Sequence, residues 1–187
     1  GGITMTKSFL KDKHILAVDD EQDIIETIQE ILDTATVDVA KDYETASEKI
    51  YSTRYDLAIL DIMGVNGIKL LEECVKRDIP AIMLTANAMN PGSLIESIKK
   101  GAISYLSKEH LSDLDTLIDE LMGAKSRGKP TWKLLFDKLG DHFDLRFGDN
   151  WKDENRDFWD EFEQHWTVSR GIQERLRHSA DIIDKGI

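Results

Sequence analysis

A single cysteine, Cys74, stands among 187 residues, which excludes an internal disulfide. It lies in the apolar pattern LLEECVK, where a buried and unreactive thiol is expected. Long hydrophobic runs are missing too. No stretch approaches the roughly 20 apolar residues that a helical membrane span requires. The start, GGITMTKSFLKDKHILAV, lacks the apolar segment and small-residue cleavage site of a secretory signal, so a cytoplasmic protein is expected. Residues Gly1 to Thr4, ahead of the first methionine, are set aside from the fold. Basic charge is scarce where it would matter for nucleic acid: residues 1–123 carry 12 Lys and Arg against 23 Asp and Glu, and residues 124–187 carry 12 against 13. Such a balance repels phosphate backbones and anionic lipid, so neither nucleic acid nor membrane is an expected partner.

What is present is a packed core's worth of apolar residues, 41% of the chain. From His14 to about Met122, short apolar runs alternate with amphipathic helical patterns, the signature of a parallel sheet covered by helices. Strands are predicted at His14–Val18, Val37–Ala40, Leu57–Leu60, Ala81–Leu84 and Ile103–Leu106. Helix spacing is carried by Ile24, Ile25, Ile28, Ile31 and Leu32, by Leu70, Leu71, Cys74 and Val75, by Leu94, Ile95 and Ile98, and by Leu114, Leu117, Ile118 and Leu121. Asn90 before Pro91, Ser112, and Asp42 ahead of a weaker helix through Ala46 and Ile50 are the expected start signals.

The chemistry gathers at one sheet edge. Asp19 and Asp20 end the first predicted strand and Asp61 ends the third, and in an open parallel sheet those ends converge on one crevice. Three carboxylates in one place raise each other's pKa unless a cation intervenes, and a hard divalent ion such as Mg2+ suits oxygen ligands. Thr85 and Lys108 arrive at the same edge from the fourth and fifth strands. A hydroxyl and an ammonium there complete a pocket for phosphoryl oxygens.

With ILAVDD, LAILDIMGVNG, AIMLTAN and YLSKE in this order, residues 12–122 resemble the receiver domain of two-component response regulators. The resemblance implies a flavodoxin-like, doubly wound (βα)5 domain with a five-stranded parallel sheet, of a kind found in bacterial signalling. It implies that Asp61 accepts a phosphoryl group from a histidine kinase or phosphotransfer protein, and that the chain is no enzyme beyond slow self-dephosphorylation. Asp19 and Asp20 match the acids that hold Mg2+, joined by Asp61 and the backbone carbonyl of Met63. Thr85 and Lys108 match the groups on the phosphoryl oxygens. Ala86 keeps the phosphate accessible, and Tyr105 matches an aromatic that turns from exposed to buried as Thr85 moves inward.

Two departures stand out. The segment from Asp61 to Gly67 lacks a Met-Pro pair and is two residues shorter than the family's usual loop, and Glu109 follows Lys108 where a proline is usual. Glu109 is expected to compete for Lys108, and the loop to alter metal affinity and phosphate lifetime.

The composition of GAKSRGKP predicts a linker over 123–131. Beyond it the chain changes character, since all four tryptophans and five of six phenylalanines fall between 132 and 166. A helix is predicted from 132 to about 144, although Phe143, Leu145 and Phe147 alternate as in a strand. A second helix carries Trp159, Phe162 and Trp166, and a third runs from about Ser169 to Ile183. Residues 132–187 are thus a small helical region whose rings either pack together or form a homodimer or effector surface. His142, His165 and His178 lack zinc-site spacing, and no basic recognition helix is present. The alternatives to a phosphorylated regulator are a non-switching receiver that serves as an interaction module and, more remotely, a DNA-binding regulator.

Overall fold

The computed structural model describes residues 8–86 and 90–167. Strands β1 (His14–Val18), β2 (Thr36–Ala40), β3 (Leu57–Asp61), β4 (Ala81–Thr85) and β5 (Ser104–Ser107) form one parallel sheet in the order β2-β1-β3-β4-β5. β3 and β4 are buried at every position, which is why LAILD and AIMLT show no polar alternation. Helices α1 (Gln22–Ile31), α2 (Tyr43–Ser52), α3 (Gly67–Lys76), α4 (Pro91–Lys100) and α5 (Leu114–Ser126) connect and follow the strands. Their apolar stripes, such as Leu70, Leu71 and Cys74 of α3, lie in the core. Burial, reinforced by the neighbouring Glu73, pushes the Cys74 thiol up to about 12, which keeps it protonated and inert.

Asp42 Oδ1 accepts from Thr45 N–H at 2.8 Å and Asn90 Oδ1 from Ser93 N–H at 2.8 Å, so both cap their helices. Ser112 does not. After β5 the chain coils into a 3-10 turn, Lys108–Asp113, which buries Leu111 and delays the start of α5 to Leu114. Strand β5 sits one residue later than expected, because its ladder pairs Ile82 with Ser104 and Thr85 with Ser107. At its far end α5 continues to Ser126, four residues into the segment whose composition predicts a linker, held by the buried Ala124.

The chain divides into two compact units at Thr131/Trp132. In the second, α6 (Thr131–Phe147) runs past the expected end. Phe143 and Phe147, four residues apart, stack with centroids 5.9 Å apart, which favours helix over strand there. Gly148 at φ +90° then stops the helix, its N–H bonding Asp144 O at 2.9 Å. A 3-10 turn (Asp153–Asn155) leads to α7 (Arg156–His165). The rings pack on one another around Trp159, which meets Phe136, Trp151, Phe158 and Phe162 with centroids 5.0–5.8 Å apart. Lys152 Nζ lies 5.3, 5.3 and 5.1 Å from the centroids of Phe136, Trp151 and Trp159 and pairs with Glu163. The expected third helix lies outside the described residues, as does His178.

Gly140 sits inside α6, and a Cβ there would meet nothing within 4 Å. Gly140→Ala should therefore stabilise the second unit by about 0.5–1 kcal/mol, read as a higher urea midpoint by tryptophan fluorescence.

Candidate functional site

Because β1, β3 and β4 are adjacent, their carboxyl ends bring Asp19, Asp61 and Thr85 side by side, with Asp20 one residue on. Carboxylate oxygens of Asp19, Asp20 and Asp61 lie within 4.8 Å of one another. They form the one group of three or more metal-ligating side chains among the described residues. Asp19 and Asp61 are buried and Asp20 is exposed. Asp19 Oδ1 accepts Glu21 N–H at 2.9 Å, while its Oδ2 lies 2.9 Å from Lys108 Nζ. The same ammonium stands 3.4 Å from Asp61 Oδ1 and 3.9 Å from Glu21 Oε2.

Burial pushes the Asp61 carboxyl up, Asp19 pushes it further, Lys108 offsets part of this, and Asp20 adds a little; the result is about 6 against an ordinary 3.8. Burial pulls the Lys108 ammonium down. The hydrogen bond to Asp19 and the charges of Asp61, Asp19 and Glu21 outweigh it and hold Lys108 above its ordinary value. Lys108 therefore reaches the site despite the residue that follows it. Ser107 Oγ accepts Glu109 N–H at 3.3 Å and opens the 3-10 turn, which aims Lys108 at the carboxylates.

Thr85 closes β4 beside Asp61; its hydroxyl donates to Ala86 O at 3.4 Å, and its side chain neighbours the Tyr105 hydroxyl. Tyr105 is buried, with its hydroxyl 2.7 Å from Ser93 Oγ on α4. Its ring thus already lies at the inner end of the movement expected from sequence. The sequence signals this contact only through the place of Ser93 in the capping turn after Asn90. Met63 turns its side chain to solvent, 72% exposed.

The short loop between β3 and α3 is built on two glycines. Gly67 opens α3 directly over β3: a Cβ on it would lie 2.0 Å from Asp61 O. Gly64, at φ +83°, faces Asp20. Neither role is visible in the sequence, where Gly67 marks only the spacing and Gly64 only a missing side chain.

Residues 15–121 match the family model described as the response regulator receiver domain. The chain is 32% identical over 139 residues to a response regulator of Staphylococcus aureus, SaeR, covering 67% of this chain and 58% of that protein. It is 32% identical over 113 residues to a two-component response regulator of Arabidopsis thaliana, ARR10, covering 57% of this chain and 20% of that one. With relatives in a plant as well as in bacteria, the family does not fix the kingdom. The chain spans between 20% and 58% of the length of these relatives. Among solved structures, a CheY-like receiver domain protein of Methanospirillum hungatei superposes with a TM-score of 0.55 at 26% identity, over 63% of this chain and 99% of that one. The matched family segment ends at 121, before the aromatic helices begin. From the strand order, the acid cluster beside Lys108 and these matches, the chain belongs to the response regulator receiver family of two-component systems.

Proposed function

We propose that the chain is a phospho-accepting regulator in which Asp61 takes a phosphoryl group from a phosphohistidine of a histidine kinase or phosphotransfer protein. The observation that carries this is a buried carboxylate beside two further acids and one ammonium, 3.4 Å from Asp61 Oδ1. Three convergent carboxylate oxygens on a buried floor fit a hard cation of the Mg2+ type, which Asp19, Asp20, Asp61 and the Met63 carbonyl would hold. When bound, it neutralises charge on the transferring phosphoryl group.

Asp61 is the nucleophile: one carboxylate oxygen forms the new O–P bond as the N–P bond of the donor breaks, and the imidazole leaves with the bonding pair. Lys108 and the Thr85 hydroxyl bind the phosphoryl oxygens. To do so, Thr85 gives up its present partner, Ala86 O, and moves relative to the neighbouring Tyr105 hydroxyl. Since Tyr105 is already buried, the signal passes as a change of hydrogen-bond partner along Thr85, Tyr105 and Ser93 to α4, not as an inward swing. The burial of Tyr105 equally suits a non-switching receiver, which would leave the Tyr105 and Ser93 amide signals unmoved on phosphorylation.

The output lies in residues 132–187, as contact with an effector or a second copy of the chain, and the protein works in the cytoplasm. A second unit with its own aromatic core and exposed acids on α7, among them Asp157 and Asp160, supports this. The test is incubation with Mg2+ and acetyl phosphate followed by intact-mass measurement. One phosphoryl group should add to the native chain and none to Asp61→Asn. Equal labelling of both would remove Asp61 from its role.

A further inference from the structure

We propose that Gly64 is a positioning residue for the divalent cation, acting through Asp20. The inference rests on the metal reading above. Of the three acids, Asp19 is fixed by Glu21 N–H and Lys108, and Asp61 by its place in β3 and by Lys108. Asp20 is exposed, and its carboxylate lies on the side of Gly64 where a side chain would project. A Cβ on Gly64 would lie 2.6 Å from Asp20 Oδ2, 2.8 Å from Cγ and 3.1 Å from Oδ1. All three atoms of the carboxylate group therefore occupy the space a side chain would need.

The short loop explains how this contact arises. Gly64 at φ +83° and Asn66 at φ 54° both adopt left-handed backbone, which turns the chain back within six residues of Asp61 so that α3 starts at Gly67. Gly64 is thereby carried over Asp20. The loop that is two residues short acts as a rest for the one acid that the sheet does not hold. A methyl group at 64 would strain the left-handed backbone locally and push the end of an exposed, flexible side chain, which yields readily. It would also move one ligand oxygen out of the cluster. Residues that orient metal ligands carry roughly 10- to 100-fold in affinity.

The experiment is calorimetric titration of the full chain with Mg2+, comparing native, Gly64→Ala, Gly64→Asn and Asp20→Asn, with thermal melts in EDTA alongside. Asn tolerates left-handed backbone and still carries a Cβ, so it serves if the alanine variant does not fold. Both Gly64 variants should bind Mg2+ about tenfold more weakly while remaining folded at the titration temperature. A lower melting temperature with native Mg2+ affinity would show a merely structural glycine and overturn the inference, provided that Asp20→Asn weakens binding. A native chain that takes up no Mg2+ would overturn the metal reading and this inference with it.

Discussion

Asp61→Asn should make the metal-free first unit more stable near neutral pH, by about 3 kcal/mol at about pH 8. The folded-state pKa of Asp61 is about 6 and its ordinary value 3.8. Between these values the folded chain keeps a proton that the unfolded chain has lost, so stability falls as pH rises through this window and levels off above it. Two pKa units at about 1.4 kcal/mol each give the magnitude. The neutral amide carries no such penalty, so the difference between native and variant should vanish below about pH 3 and be complete by about pH 7. Mg2+ should shrink it by binding the native acids alone. All four tryptophans lie at 132 or beyond, so fluorescence follows the second unit. Amide exchange in β3 and β4 reads the first. An Asp61→Asn chain no more stable than native at pH 8 would mean that the carboxylates are not held together as described.

Gly67→Ala should cost about 3 kcal/mol or more and leave little folded first unit. Its Cβ would lie 2.0 Å from Asp61 O and 2.8 Å from Asp61 C. Both are backbone atoms of a strand paired on two sides, so neither can yield without breaking the ladders of β3. Gly67 N–H also bonds Ile62 O at 3.2 Å, which any retreat of α3 would lengthen. The same substitution at Gly140 is expected to stabilise, because there the new methyl meets nothing. A far-UV melt of Gly67→Ala resembling the native one would show that the loop has slack the structure does not display.

The site was legible in the sequence because its residue types are unusual where they stand. Two aspartates after ILAV and one after LAIL mark strand ends, and strand ends on one edge must converge. Lys108 was legible as a cation but its aim was not: the turn that directs it depends on Ser107 capping Glu109, a contact between polar residues two apart with many alternatives. The rotamer of Tyr105 has no sequence signature, since an exposed and a buried tyrosine are the same letter. Ser112 looked like a helix start because serine caps are common, and the burial of Leu111 decided otherwise. In the tail, Phe143, Leu145 and Phe147 fit either period. Helix won because Phe143 and Phe147 stack on one face, leaving Leu145 82% exposed on another.

The central claim is that Asp61 itself carries the phosphoryl group, and reductive trapping tests it directly. After phosphorylation with acetyl phosphate and Mg2+, borohydride converts an acyl phosphate on aspartate to homoserine. Peptide sequencing by mass spectrometry should then find homoserine at position 61 and unmodified aspartate at 19 and 20. Homoserine at 19 or 20 with aspartate intact at 61, or no homoserine in a chain that has gained the phosphoryl mass, would contradict the account.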